Sequence, residues 1–205
     1  MSRNARKLLE QRKFDPLVAT LADRLGTDGT AALWVRAERR LDGLLKTTEV
    51  LSKGERMHVE GYIMPTFALY REMSEEMGKE ETLALLKGFA RSNALVNRRF
   101  FERMVSIPWG KQLFLGGFAI MQPRAFGEGA GFAVRSAFSD ATHVHLDIVG
   151  CPYQRMTAEL GAPELCNLFC TNDDIIYGDL PGIKFSRTGT LGRGDEVCDF
   201  DVSLA

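Results

Sequence analysis

GFAVRSAFSDATHVHLDIVG, residues 131–150, is where the residue pattern of this chain changes from a helical period to a period of two. In its second half, THVHLDIVG, apolar and polar residues alternate with a period of two. This alternation predicts a β-strand with one buried face and one wet face. Ser139 and Asp140 separate this run from GFAVRSAF and are typical turn residues, so the stretch predicts an antiparallel hairpin.

The residues before position 124 have a helical period instead. Leucines recur every four residues from Leu17 to Leu25, after Asp15-Pro16, a pair typical of a helix start. A proline ring does not fit an unbroken helical ladder, so Pro65 should kink the third helix, and Gly78 should end it. The predicted helices cover about residues 15–25, 30–45, 55–77, 79–106 and 108–121.

The residues after the hairpin predict a helical insertion and a second pair of strands. The insertion covers Tyr153–Leu160 and Pro163–Phe169. The strands are IKFSRTGTL, residues 183–191, and EVCDFDVSL, residues 196–204. Glycines at the connecting GRG, residues 192–194, indicate a turn between them.

These patterns predict the α+β fold class: an N-terminal helical region followed by a small antiparallel sheet with a short helical insertion. One sheet should contain residues 132–149 and 183–203. The chain is expected to be a single domain, 1–205. Its helical part should cover 1–123, and its cysteine-bearing α+β part should cover 124–205.

Composition and charge favour a small-molecule substrate as the partner. The chain has 205 residues and a formal net charge of −1, so neither a nucleic-acid nor a membrane partner is expected. No segment resembles a signal peptide or a membrane span, which predicts a cytoplasmic protein. Homo-oligomer formation stays open. The basic residues near the start should form a solvated terminus: they are Arg3, Arg6, Lys7, Arg12 and Lys13.

The four cysteines all lie in the last third of the chain and are expected to be reduced thiols. They are Cys151, Cys166, Cys170 and Cys198. The spacing of Cys166 and Cys170 puts both on one helix face but is a weak zinc signature. His143, His145 and Asp147 on one strand face could ligate iron or zinc, but a wet polar face explains the same alternation. No cofactor is predicted, with zinc or another divalent metal left open.

Cys170 differs from the other cysteines because it ends an apolar run and is followed by TNDD. That position predicts a thiol at a helix end beside a polar loop, within reach of substrate. Asp173 could orient a proton or hold a cationic amidine-like group. A nucleophilic thiol would also need a nearby cation, for which Arg187 and His145 are candidates. Cys198, on an apolar strand face, is expected to be buried.

Five segments stand in a specific order in this part of the chain. They are CPY at 151–153, ELGAPEL at 159–165, FCTND at 169–173, FSRTGTL at 185–191, and Gly194 followed by CDF at 198–200. In this order and spacing they resemble the L-2-amino-thiazoline-4-carboxylate hydrolase family, over roughly residues 145–202. The resemblance implies helices before a cysteine-bearing sheet. It also implies hydrolytic opening of a five-membered cyclic isothiourea, at a C–N bond, to a carbamoyl-cysteine.

That reaction needs an activated nucleophile, a proton source for the leaving nitrogen and an anchor for the substrate carboxylate. The predicted catalytic residues are Cys170, Asp173 and Cys151, and the predicted substrate-binding residues are Arg187, Thr190, Asp199 and His145. Arg187 suits the carboxylate anchor, because a guanidinium binds carboxylates through two hydrogen bonds. Asp199 and Cys198 cannot both face one pocket if their strand is regular. His145 lies outside the pattern that carries the resemblance.

Two chemical routes and two other functional classes stay open from the sequence. Cys170 could attack the substrate and form a covalent adduct, or a set of thiolate, histidine and carboxylate ligands could hold a metal whose bound water attacks. The first route is favoured. The alternatives to a hydrolase are a non-catalytic small-molecule-binding module and an isomerase or cyclase of a biosynthetic pathway on the same scaffold.

Overall fold

A computed structural model describes residues 4–49 and 51–205, so Arg3 of the basic start lies outside the described residues. The order of elements is the predicted one, with helices first and then an antiparallel sheet that contains a helical insertion. The helices are α1 Ala5–Leu9, α2 Asp15–Thr47, α3 Lys53–His58, α4 Met64–Met77, α5 Lys79–Val105, α6 Gly110–Ala125, α7 Pro152–Glu159 and α8 Cys166–Tyr177. The strands are β1 Ala133–Ser139, β2 His143–Gly150, β3 Ile183–Ser186 and β4 Cys198–Leu204.

The breaks in the helical part follow the local sequence. Helix α2 is interrupted at Gly26, where φ is 70°, so the two predicted helices are two halves of one broken helix. The expected kink near Pro65 is a π-helical turn, Val59–Ile63, placed just before the proline. Pro65 then occupies the first turn of α4, where its missing N–H costs nothing. Gly78, with φ 82°, ends α4 as predicted.

Two helix ends differ from the prediction. Helix α6 does not end before Pro123 but continues to Ala125, since a proline in the last turn removes little of the hydrogen-bond ladder. Helix α8 continues to Tyr177, so the TNDD segment is helical rather than a loop. Packing of α8 against α5 and pairing of Asp173 and Asp174 with an arginine outweigh the weak helix propensity of these residues.

The sheet has the strand order β1-β2-β4-β3 with every neighbour antiparallel. The predicted single sheet is confirmed, and no strand occurs among the described residues before position 120. The predicted strand 183–191 is shorter than expected: β3 ends at Ser186, and residues 187–191 belong to the loop that leads to β4. The face that we call the inner face carries Val144, Leu146 and Ile148 of β2 and the aligned Phe200 and Val202 of β4, all buried. The outer face carries the polar residues that alternate with them.

Three apolar clusters meet around the inner face. One joins α1 to α5 with α7 and α8, the second joins α5 and α6 to the sheet, and the third joins the sheet to the segment near Phe126 and Phe132. Tyr153 packs against both the first and the third cluster. Each fully buried leucine or phenylalanine contributes about 1.5–3 kcal/mol. The site described below lies where these clusters meet.

The basic start is less exposed than expected. Arg6, Lys7 and Arg12 are exposed, but Lys13 is half-buried and its ammonium donates to the carbonyl of Gly61. The expectation of a solvated terminus is therefore wrong for Lys13, because α1 and the turn that follows pack onto the helical core. None of the described helices combines the length and the apolar character that crossing a membrane requires.

Candidate active site

A cavity of about 330 Å³ opens between the inner face of the sheet and helices α7 and α8. Three predicted site residues from separate segments border it: Cys151 between β2 and α7, Cys170 in α8, and Arg187 after β3. Asp173 and Cys198 also line it. The volume falls within the range of small-molecule pockets. The structure thus brings together the residues that the sequence distributes over almost fifty positions.

Cys170 lies in the middle of α8, not at a helix end as predicted. Its side chain is partly exposed, and the loop after β3 covers its sulfur. A Cβ atom added at Gly192 would lie only 2.5 Å from the Cys170 sulfur and 3.0 Å from the Cys166 sulfur. The loop backbone therefore approaches both thiols closely, and only glycine permits this approach.

The surroundings of Cys170 stabilise its thiolate. The Cys166 thiol, the Thr190 hydroxyl and the backbone N–H of Gly192 donate hydrogen bonds toward the Cys170 sulfur, and the Arg187 guanidinium adds a positive charge. These groups hold the pKa of Cys170 below its ordinary value, although burial acts in the opposite direction. A thiolate is the nucleophilic form of cysteine. Cys170 therefore has the chemistry of a reactive thiol.

The other three cysteines lack this chemistry. Burial raises the pKa of Cys151 to about 12. The hydrogen bond to Cys170, together with burial, raises the pKa of Cys166. Cys198 is buried, as predicted, and accepts a hydrogen bond from the Leu191 N–H at 3.2 Å, while burial raises its pKa. Of the four thiols, Cys170 alone combines partial exposure with a lowered pKa.

Asp173 follows Cys170 by one helical turn and lines the same cavity. Its carboxylate lies 3.4 Å from the Arg187 guanidinium, whose second terminal nitrogen lies 2.6 Å from Asp174. Burial raises the pKa of Asp173 to about 7, with Arg187 acting against the rise and Cys170 adding to it. A carboxyl group with such a pKa can give or take a proton near neutral pH.

Arg187 lines the cavity and is held there by several acceptors. Its side chain is 2% exposed, and its terminal nitrogens donate to Asp173, Asp174 and the backbone carbonyl of Cys170. The guanidinium also stacks over Phe200, with 5.1 Å between its carbon and the ring centre. These contacts tie Arg187 to α8. Its Nε is buried and has no hydrogen-bond partner within the described part of the chain, so the role of carboxylate anchor stays a prediction.

Thr190 is also placed differently from the prediction. It is fully buried, and its hydroxyl lies beside the Cys170 sulfur and accepts from the Gly192 N–H at 3.2 Å. Its own N–H donates to Asp195 at 2.7 Å. Thr190 therefore lies behind the Cys170 sulfur and does not line the cavity, so its predicted direct contact with substrate does not fit this geometry.

His145 and Asp199 lie on the outer face and do not reach the cavity. His145 is within 3.2 Å of Asp147 and 3.5 Å of Asp201. Asp199 accepts from the backbone N–H groups of Thr188 and Gly189 and so fixes the loop before Thr190. Their predicted substrate contacts are corrected, because strand alternation turns both side chains away from Cys198 and Phe200.

A histidine and a tyrosine in the cavity wall were not found by the sequence reasoning. His58 Nε2 donates to the carbonyl of Ala125 at 2.8 Å, which leaves Nδ1 to accept from the Tyr153 hydroxyl at 2.9 Å. Burial lowers the pKa of His58, and burial raises that of Tyr153. Tyr153 stands in the CPY segment, which was a signal for the site, whereas nothing local distinguishes His58.

The donor groups of the described chain do not form a metal site. No group of three or more histidine, cysteine or acidic residues within 4–49 and 51–205 is arranged to hold a metal ion. Cys166 hydrogen-bonds to Cys170, and Cys198 accepts from the Leu191 N–H. The histidines of β2 face the other side of the sheet, paired with Asp147 and Asp201. Within residues 4–49 and 51–205, the thiolate, histidine and carboxylate ligands that the metal route would need are not brought together.

Comparison with known proteins identifies the family. The sequence model of the L-2-amino-thiazoline-4-carboxylic acid hydrolase family matches residues 56–202, which is well over half of the chain. A search of curated proteins returned no match, and neither did a search of solved structures. The matched region contains the whole sheet up to β4 and every cavity residue discussed above. The chain belongs to the L-2-amino-thiazoline-4-carboxylic acid hydrolase family.

Proposed function

We propose that this protein is a cysteine-dependent hydrolase that opens the ring of a cyclic isothiourea or amidine such as 2-amino-thiazoline-4-carboxylate. Family membership supports a hydrolase-like function in general terms. The observation that carries the specific proposal is the environment of Cys170. Of the four thiols, it alone is partly exposed in the cavity with hydrogen-bond donors and a cation directed at its sulfur.

The first step is attack of the Cys170 thiolate on the ring carbon that carries two nitrogens and a sulfur. A new C–S bond forms, and the bond from this carbon to the ring nitrogen breaks. Asp173, whose pKa is raised to about 7 by burial, gives its proton to the leaving nitrogen. The substrate is then held as an open-chain adduct through the Cys170 sulfur.

The second step is hydrolysis of this adduct. The Asp173 carboxylate, now deprotonated, removes a proton from a water molecule that adds to the same carbon. Collapse of the intermediate expels the Cys170 thiolate and leaves a carbamoyl group on the substrate sulfur. One water is consumed and no oxidant or reductant is needed. Hydrogen bonds from Thr190 and Gly192 stabilise the thiolate as it leaves.

The other cavity groups have supporting roles in this proposal. Arg187 keeps the thiolate and the Asp173 carboxylate near each other in α8. The Tyr153 hydroxyl and neutral His58 form a hydrogen-bonded pair in the wall opposite the sheet. The aromatic rings of Phe126, Phe132 and Phe200 exclude bulk water, which strengthens the electrostatic interactions inside the cavity.

Turnover of 2-amino-thiazoline-4-carboxylate by the purified protein tests the proposal. We expect loss of the thiazoline and appearance of a carbamoyl-cysteine, with one ¹⁸O incorporated from labelled water. Cys170→Ser should lower turnover on the order of 10³-fold or more, because a hydroxyl is a far poorer nucleophile. Cys198→Ser is the matched control, since it makes the same atomic change in the same cavity wall and should retain turnover.

Other outcomes would overturn the proposal in distinguishable ways. Turnover that survives Cys170→Ser would exclude the covalent route. Conversion of the thiazoline without incorporation of ¹⁸O would favour an isomerase or cyclase. Tight binding of the thiazoline without any conversion would favour a non-catalytic binding module.

A further inference from the structure

A second chamber of about 610 Å³ adjoins the cavity that contains Cys170. The two share one wall, formed by residues that line both: Tyr62, Asn97, Phe169, Asn172 and Ile176. The far wall of the second chamber comes from the turn after α1 and from α5. The proposed thiazoline chemistry uses no residue of this chamber, which is the larger of the two.

The lining of the second chamber is mostly apolar, with one cation set into it. Phe14, Leu86 and Phe89 are among its apolar side chains. Lys13 lies among them, half-buried, with its ammonium 4.0 Å from the centre of the Tyr62 ring and 5.1 Å from that of Phe14. The ammonium donates to the backbone carbonyl of Gly61.

The charge of Lys13 is only partly compensated. The salt bridges of the described residues do not include it, although Arg12 and Asp15 lie exposed at the rim of the same chamber. Burial lowers the pKa of Lys13 to about 8. An ammonium in apolar surroundings gains strongly from an anion that enters with it, because the pair relieves the desolvation of the charge.

The shared wall holds a second unmatched polar group. The side-chain oxygen of Asn172 is buried and has no hydrogen-bond partner within the described part of the chain. Asn172 lines both chambers and stands two residues after Cys170. A ligand that passes from one chamber to the other could satisfy this oxygen with an N–H group.

We propose that the second chamber binds the distal, anionic end of an elongated substrate whose reactive end lies at Cys170, with Lys13 as its counter-ion. The ligand class is an N–H-containing chain with an apolar middle and a terminal carboxylate or similar anion. The inference rests on the proposed function for the identity of the reacting end alone.

A series of thiol-reactive acids tests this without requiring turnover. The probes are ω-(iodoacetamido)alkanoates with two to eight carbons between nitrogen and carboxylate, each paired with an N-alkyl iodoacetamide of equal length. We expect one length to alkylate Cys170 at least about tenfold faster than its neutral match. Lys13→Met should abolish this advantage, whereas Lys7→Met, the same change on the exposed α1, should preserve it.

The proposal is overturned if no acid of any length exceeds its neutral match, or if Lys13→Met retains the advantage. If Cys170 reacts with none of the reagents, the proposed function fails, and the chamber is tested by calorimetry. In that arm 6-phenylhexanoate should bind the wild-type protein at least about tenfold more tightly than it binds Lys13→Met. Equal affinities for the two proteins would contradict the assignment of Lys13.

Discussion

The two faces of the sheet carry the same kinds of polar atoms and put them to different uses. On the outer face, the half-buried His143 and His145 both contact the carboxylate of Asp201. On the inner face, Cys198 borders a cavity in which every polar group lies against apolar side chains. Alternation along a single strand, β4, separates Cys198 from Asp199. Enclosure, more than residue type, decides which polar groups acquire unusual chemistry.

The difference is clearest in the carboxylates. Asp147 of the outer face accepts from Arg135 and Ser136, and these hydrogen bonds lower its pKa. Asp173 of the cavity also has an arginine partner, yet burial raises its pKa to about 7. Hydrogen-bond donors outweigh desolvation and favour the charged form in the first case, and desolvation outweighs the arginine in the second.

Among substitutions of these carboxylates, the largest effect on kcat is expected at Asp173. Asp173→Asn removes the proton source for the leaving nitrogen and should lower kcat for thiazoline opening by about 10²–10⁴-fold. Asp174→Asn is the matched control, because Asp174 shares the same arginine but is more exposed. It should change kcat by less than about threefold.

The pH dependence of kcat for the wild-type protein tests the role of Asp173 as proton donor without a substitution. Asp173 must be protonated to give its proton, so kcat should fall as pH rises through about 7. At low pH the rate should fall as the Cys170 thiolate is protonated.

Alkylation of Cys170 by iodoacetamide should survive in the Asp173→Asn variant, because the substitution leaves the thiolate in place. If that variant loses alkylation as well, its defect lies in the nucleophile and the acid role is wrong.

Stability should respond to the inner face far more than to the outer face. Leu146→Ala leaves a cavity in the core and should lower the free energy of unfolding by about 2–5 kcal/mol. His145→Ala, one residue away, should lower it by less than about 1 kcal/mol, because it removes only contacts with Asp147 and Asp201 on the partly exposed outer face and leaves the apolar core intact. Urea unfolding of the two variants measures both. Similar losses of unfolding free energy in the two variants would contradict the conclusion that the inner face stabilises the fold more than the outer face does.

His145→Ala should also leave kcat for thiazoline opening unchanged, since the side chain cannot reach the cavity. This is the smallest expected effect, and it corrects the substrate-binding role that the sequence favoured. A tenfold or greater loss of kcat, with an unchanged free energy of unfolding, would show that His145 takes part in substrate binding or turnover.

Most of the fold could be predicted from the sequence, because the strongest signals in the sequence are local residue patterns. The period of two in THVHLDIVG places Leu146 inward and His145 outward, and the structure has this arrangement. Helix ends were less predictable. TNDD has a weak helix propensity, and it forms the last turns of α8 because α8 packs against α5 and because Asp173 and Asp174 pair with Arg187, thirteen or more residues away.

The site was predictable in part for the same reason. The order of motifs pointed to Cys170, Asp173 and Arg187, and the structure places them at one cavity. His58 was missed, because its link to Tyr153 joins residues ninety-five positions apart. Lys13 was interpreted as part of a frayed terminus, because nothing local indicates that Gly61 and Tyr62 fold against it.

The central claim is that Cys170 is held as a thiolate by its neighbours, and the pH dependence of its alkylation tests it most directly. The rate of iodoacetamide labelling at Cys170, located by mass spectrometry, should be half-maximal well below the ordinary thiol value of about 8.5. Cys166→Ala removes the principal donor and should move this midpoint upward, whereas Cys198→Ser should leave it in place. A wild-type midpoint at or above the ordinary value, or no shift in Cys166→Ala, would contradict the account.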